Sequence, residues 1–498
     1  MESLIYTKKS FSNFLIARQH TLILFLILVF AVIIRCIFYC GLVFSDDSYY
    51  YWLAYQLKNF PNSISYLGYP ILLIRKLSLF FTIFSYYLLG YNEKAGTFFP
   101  FIFSLFSIIL IYKIAKELFN KNRISLTAAF FAAFFPVDII FASINFSDLE
   151  CVFFINIGIF FFIKAGKEKK NNYLIYAGLF LALSFLIKEY AYYYCIILFC
   201  VFIYTQVKQK KYYYQFIIPI LIVICFLFIE GLLYCRLNDG FFYRIKIFQY
   251  NYYYCYYDFF PYTLTISEIG YFKYFTGLSV HIFNNIKYIL SRRYYLLLPV
   301  LSIVESYFLL KKREERFISV WFWGLLILLP LMTVSLSTYT PIELRRVWYI
   351  YPLIFPCCIL SANLVSKLKP AYFYIVLGLF LVSSVLMSVE FQKFFNVYNN
   401  NLFKQFIKKY PEKTIFTDHH TAYGIRFILE YQMNEQVKLL TNTDSLNTKP
   451  GDFVVYSKPV VEELKKQNYH FPDFEKLTSV NYHLIDNFGQ YKVYEKIK

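Results

Sequence analysis

Eight charged residues of this sequence stand where chemistry is possible: Asp46, Asp47, Asp148, Glu150, Lys188, Glu189, Arg345 and Arg346. Each falls at or near the end of an apolar block. Charged groups close to membrane depth are costly unless they face a cavity or a partner. The acids are candidate proton acceptors and cation ligands, and the bases are candidate anion holders. All of them sit on the side away from the lysine-rich loops, which points to an externally facing polar site.

The acidic pair opens the segment Ser45-Asp-Asp-Ser-Tyr-Tyr-Tyr-Trp-Leu-Ala. Tyr50, Leu53, Ala54 and Leu57 recur at helical spacing, which predicts a surface-lying helix starting right after the aspartates. Ser45 or Asp46 then either caps that helix or leaves an acid for catalysis. Both hold together, since two adjacent acids exceed what one cap needs. Bland readings stand beside the others too. Lys188-Glu189 is either part of the site or a solvated turn. Arg345-Arg346 either binds an anion or snorkels to lipid headgroups, and Arg35 has the same two choices. His419-His420 lacks the matched ligand spacing of a metal site.

The elements that must position these residues are membrane spans. Apolar residues make up 59% of the 498 residues and charged ones 16%, against about 45–50% and about 25% in a soluble domain. Mean hydropathy is +0.48. The apolar residues come in blocks of roughly 17–22, the length that crosses a bilayer core of about 30 Å. About eleven such blocks lie near 21–40, 96–115, 124–142, 148–164, 173–188, 190–206, 215–234, 287–310, 317–336, 347–366 and 371–389. The first is too long for a signal segment and has no small-residue cleavage site after it, so it reads as a retained span.

Net charge is +19. The basic residues cluster between apolar blocks, as in cytoplasmic loops, so a nucleic-acid partner is not expected. Lys8, Lys9 and Arg18 precede the first block. Further clusters follow the second, fourth, sixth, eighth and tenth, from Lys116-Lys121-Arg123 to Lys367-Lys369. Every second loop is basic, which places the N-terminus and those loops in the cytoplasm. The external set is then 41–95, 143–147, the 188–189 turn, 235–286, 337–346 and the tail from about 390. The ten cysteines show no Cys-x-x-Cys spacing. Cys235 and Cys255 share an external loop and either pair or stay free.

The tail is a different kind of sequence. Strands are predicted at 414–418, 437–441 and 452–457, helices at 421–431 and 460–467, and a hairpin over 482–497 turning at Asn487-Phe-Gly-Gln. The fold class is an α-helical polytopic membrane protein with a small extracytoplasmic α/β C-terminal domain. The domains are 1–390, with its first external loop 41–95, and 391–498.

This layout resembles the GT-C glycosyltransferases, the family of protein O-mannosyltransferases and the lipid A aminoarabinose transferase. Asp46-Asp47-x-x-Tyr50 is similar to the family's acidic pair in the first external loop. Gly68-Tyr-Pro-Ile-Leu-Leu follows as the family's segment after the loop helix does. Ala132–Pro136 with Ile139 to Glu150 looks like its third-to-fourth-span turn, ending in an acid. Leu186-Ile-Lys-Glu-Tyr resembles its Lys-Glu turn, and Arg345-Arg-Val-Trp-Tyr-Ile-Tyr-Pro its late Arg…Tyr…Pro span. The resemblance runs over residues 20–390. The two extra spans of the aminoarabinose transferase and the His-Lys-Glu-Thr-Pro motif of the anchor mannosyltransferases are not found here.

The resemblance implies a multi-pass cytoplasmic (inner) membrane enzyme that moves a hexosyl or pentosyl group with inversion. The donor would be a polyprenyl-phosphate-linked sugar. The acceptor would be lipopolysaccharide, another cell-envelope glycan or a protein, with membrane lipids around the chain. It implies Asp46 as the general base, with Asp47 beside it. Arg345, Arg346 and Lys188 would hold the donor phosphate. Asp47, Asp148, Glu150 and Glu189 would hold sugar hydroxyls or a divalent metal ion. The rival reading is a lipid-linked-glycan polymerase or ligase, or a transporter. Transporters often show inverted repeats and broken midplane helices, which the sequence does not display.

Overall fold

In a computed structural model the chain is described over residues 2–43, 46–59, 70–209, 217–237, 239–247, 264–265, 283, 286–287, 289–291, 293–312, 315–331, 338–339, 347–417, 437–439, 448–457, 482–489 and 491–497. Arg345, Arg346, His419, His420 and Cys255 lie outside these residues, as do the predicted helices of the tail.

Every apolar block predicted as a span overlaps a helix. In chain order these begin with α1 (Glu2–Ile37), α2 (Asp46–Asn59), α3 (Pro70–Leu73), α4 (Lys76–Leu89), α5 (Glu93–Phe119), α6 (Asn122–Ala133) and α7 (Pro136–Phe141). Then follow α8 (Ser147–Glu168), α9 (Asn171–Phe185), α10 (Ala191–Gln209) and α11 (Ile218–Arg236). The later helices are α12 (Leu298–Leu310), α13 (Arg316–Leu331), α14 (Ile354–Val365), α15 (Pro370–Phe394) and α16 (Val397–Lys409). Among the described residues, five are long and apolar enough to cross a membrane: Gln19–Ile37, Glu93–Phe119, Ser147–Glu168, Ile218–Arg236 and Pro370–Phe394. They leave large apolar side chains such as Phe25, Phe228 and Leu379 exposed, as helices solvated by lipid do.

Residues 76–89 and 124–142 differ from the sequence reading. Residues 76–89, placed within the first loop, form the apolar helix α4. Residues 124–142 are two helices rather than one. Pro136 stands at the start of α7 and Phe135 before it is extended, with φ −73 and ψ 120. Proline disfavours the helical conformation in the residue ahead of it, so the chain breaks there.

The break puts Asp138 in the first turn of α7. Its carboxylate pairs with Arg35 of α1 and accepts the Tyr351 hydroxyl from the 3-10 segment Val347–Leu353. The Arg35 guanidinium also donates to Ser104 of α5 at 2.7 Å and to the Ala133 carbonyl at 2.9 Å. Arg35 therefore neither snorkels nor waits for an anion. It is fully buried and ties α1, α5, α6 and α7 together.

β1 (Leu264–Thr265) and β2 (Thr338–Tyr339) form an antiparallel pair, and the C-terminal sheet has the order β4-β3-β5-β7-β6, with β3 (Ile415–Thr417), β4 (Val437–Leu439), β5 (Phe453–Ser457), β6 (Tyr482–Phe488) and β7 (Tyr491–Lys496). β3 runs parallel to β4 and β5, and β5-β7-β6 is antiparallel. These are the predicted strands and hairpin. Helix α16 was not anticipated. Its Phe403, Phe406 and Ile407 lie at i, i+3, i+4 spacing and pack with Ile415, Phe453 and Val493 of the sheet.

Candidate active site

The chain leaves α1 through a short strap, Phe38–Val43, before the acidic pair. Four consecutive backbone N–H groups of the strap are satisfied by fixed partners. Cys40 donates to the Ser143 hydroxyl at 2.9 Å and Gly41 to the Ser143 carbonyl at 3.0 Å. Leu42 donates to Glu93 Oε1 at 2.6 Å, and Val43 to Asp47 Oδ2 at 2.7 Å. Asp47 is thus turned into the fold and completely buried, while Asp46 is exposed at the mouth of α2.

Tyr50 shares a helix face with Asp46, four residues on, and the Asp46 charge reaches its phenol. Burial pushes that phenol up. Its hydroxyl donates to Ser147 at the start of α8 at 2.9 Å and accepts from Arg75 at 2.7 Å. Arg75 lies 3.5 Å from Glu189, whose other oxygen is 3.8 Å from Arg244. Arg244 forms a fork on Glu230 of α11, at 2.8 and 2.7 Å. The buried charges alternate in sign, which each needs if it is to stay ionised out of water.

The turn after α9 brings Lys188 to α8. Its Nζ lies 2.7 Å from Asp148 Oδ1, which also accepts the Tyr190 hydroxyl. The Lys188 ammonium stands 5.1 Å from the Tyr190 ring and 5.3 Å from that of Tyr349. Tyr349 follows Arg346 by three residues. Glu150, one turn into α8, is buried; Ser78 adjoins it, yet neither carboxylate oxygen has a hydrogen-bond partner among the described residues.

Asp46, Asp148, Lys188 and Glu189 therefore border one polar cluster, with Glu150 close behind Asp148. Asp47 serves the strap instead. Arg345 and Arg346 lie outside the described residues. No three His, Cys, Asp or Glu side chains among the described residues gather as metal ligands, and Asp148 is engaged by Lys188 and Tyr190. Sequence reasoning missed Arg75, Arg244, Tyr190 and Glu230. Glu230 carried a signal, as an acid within an otherwise apolar block, which calls for a buried partner.

Residues 77–229 match the family model described as dolichyl-phosphate-mannose-protein mannosyltransferase. That stretch holds Asp148, Glu150, Lys188 and Glu189. Crystal structures of ArnT from Cupriavidus metallidurans are similar to this chain. The undecaprenyl-phosphate-bound form is 12% identical with a TM-score of 0.55 and the apo form 13% with 0.53, each covering 94% of this chain and 97% of that one. The apo oligosaccharyltransferase of Archaeoglobus fulgidus is 12% identical with a TM-score of 0.50, covering 88% of this chain and 69% of its own. No curated protein matches by sequence. The polar cluster is carried by an apolar helical body throughout, and the chain is a membrane protein of the GT-C glycosyltransferase fold.

Proposed function

We propose that this chain transfers a sugar from a polyprenyl-phosphate carrier to the hydroxyl of an extracytoplasmic acceptor, with inversion at the anomeric carbon. The observation that carries this reading is the division of labour in the acidic pair. Asp47 is committed to the strap, and Asp46 presents an exposed carboxylate one turn before Tyr50, whose hydroxyl is held by Ser147 and Arg75.

In the proposed reaction Asp46 accepts the proton of the acceptor hydroxyl as its oxygen attacks the anomeric carbon. The bond from that carbon to the phosphate oxygen breaks, and the carrier phosphate leaves with the electron pair. Arg345 and Arg346 would meet its charge with fork-shaped donors, and Lys188 with a point charge. Asp148 orients Lys188 or a sugar hydroxyl, and Glu189, paired with Arg75 and Arg244, and Glu150 contribute to the sugar side. A lipid-linked donor is favoured because ArnT, which shares the fold, binds undecaprenyl phosphate. The C-terminal sheet would lie outside the membrane, on the same side as the site.

The test is turnover by the full chain in lipid, with a panel of polyprenyl-phosphate sugars and cell-envelope acceptors. Asp46→Asn keeps size and capping ability but removes the proton acceptor. Turnover should fall about 100- to 10,000-fold at unchanged protein level. Wild-type turnover by Asp46→Asn would end the assignment.

A further inference from the structure

Helix α16 has two faces. Phe403, Phe406 and Ile407 belong to the core of the C-terminal sheet. Asn400 and Lys404, one turn apart, face the helical body. Asn400 donates to the Phe395 carbonyl at 3.2 Å, and Lys404 Nζ lies 2.5 Å from Glu93 Oε1. The Lys404 and Glu93 side chains are 10% and 26% exposed, so water screens this pair less than it does an ordinary surface pair.

The same Glu93 oxygen accepts the Leu42 N–H. Leu42 precedes Val43, whose N–H is bonded to Asp47, and Asp47 directly follows Asp46 in the first turn of α2. Gly41 is fitted to this arrangement. Its φ of +68 is a left-handed conformation, and a Cβ there would overlap the Glu93 carboxylate. Ser143 holds the opposite side of the strap through Cys40 and Gly41.

We propose that Lys404 of the C-terminal unit is a positioning residue for the acidic pair, acting through Glu93 and the backbone of Leu42–Val43. The cation fixes the carboxylate, the carboxylate fixes the strap, and the strap sets where α2 begins. Its consequence for catalysis rests on the reading of Asp46 as the base.

Cys40 is a native reporter of the strap. It is buried, so alkylation requires the strap to open. In a full-length chain with the exposed cysteines replaced, Lys404→Met should raise maleimide labelling of Cys40 about tenfold. Cys151, buried in α8, should keep its slow rate, and Lys404→Arg should restore protection of Cys40. With a competent donor, Lys404→Met and Glu93→Gln should lower kcat about tenfold and leave donor KM unchanged. Unaltered Cys40 labelling in Lys404→Met overturns the inference, and so does a joint rise of Cys40 and Cys151, which marks general loosening. Strap opening with unchanged kcat overturns the catalytic role of Lys404. Full turnover by Asp46→Asn strikes the base assignment alone, since the labelling result does not depend on it.

Discussion

Asp47 Oδ2 accepts the backbone N–H of Val43 at 2.7 Å, closing a four-residue loop from the strap to the first turn of α2. The carboxylate is completely buried. Asp47→Asn can keep an acceptor oxygen at this place, whereas Asp47→Ala leaves the Val43 N–H without its bond. Such an orphaned buried group costs about 1–3 kcal/mol. Asp47→Ala should therefore lower the unfolding temperature in detergent and reduce turnover, and Asp47→Asn should do neither to the same degree. Equal thermal stability of Asp47→Ala and wild type would remove the strap role.

A second buried pair sets the stability of the helical body. One Arg35 guanidinium serves Asp138, Ser104 and the carbonyls of Ala31 and Ala133. Arg35→Met leaves the Asp138 carboxylate without a cation, a change that costs about 3–5 kcal/mol in buried pairs. Arg35→Lys should also destabilise, because an ammonium has fewer donors and no planar fork. Thermal unfolding in detergent ranks the variants, with wild type first, then Lys, then Met. An Arg35→Met protein as stable as wild type would show that the pair contributes nothing net.

In both pairs the charges were legible in the sequence and their partners were not. Asp46-Asp47 stood out because two acids side by side exceed the needs of one cap, and the Lys188-Glu189 turn because charge interrupts apolar blocks. The hydrophobic periodicity located the helices. It did not locate the break at Phe135, where one proline overrides an apolar run of helical length. Nor did it separate Asp47 from Asp46, because neighbours on a helix start alike in sequence. Only the strap, folded back by the positive φ of Gly41, gives one of them a backbone partner. The partners Arg75–Glu189 and Lys404–Glu93 are 114 and 311 residues apart, and no local pattern encodes such a pairing. Arg35, Asp138 and Glu230 were visible as charges within apolar blocks, but not which of them pair.

Lys188 and Asp148 allow a test with the carrier alone. Their 2.7 Å pair places the lysine charge on a carboxylate, so a phosphate must compete for it. Asp148→Asn should tighten binding of sugar-free undecaprenyl phosphate, and Lys188→Met should weaken it. Calorimetric titration in detergent reads both, and lacking a sugar, the probe is blind to contacts between Asp148 and sugar hydroxyls. If Asp148→Asn weakens binding as much as Lys188→Met, the lysine is not the group that meets the phosphate.

Gly41 offers the most local test of the strap. Its φ of +68 is disfavoured for any residue with a Cβ, and an alanine methyl would occupy the space of the Glu93 carboxylate. Backbone strain of this kind costs about 1–3 kcal/mol. If displacement of Glu93 also frees Lys404, Gly41→Ala should reproduce the Lys404→Met behaviour, with faster Cys40 labelling and lower kcat. Combining Gly41→Ala with Lys404→Met should then add little, since both remove the same link, whereas independent effects add when sites do not share a partner. Additive losses in the double variant would mean that Gly41 acts on the strap without Lys404, and that the C-terminal helix does not reach the acidic pair through Glu93.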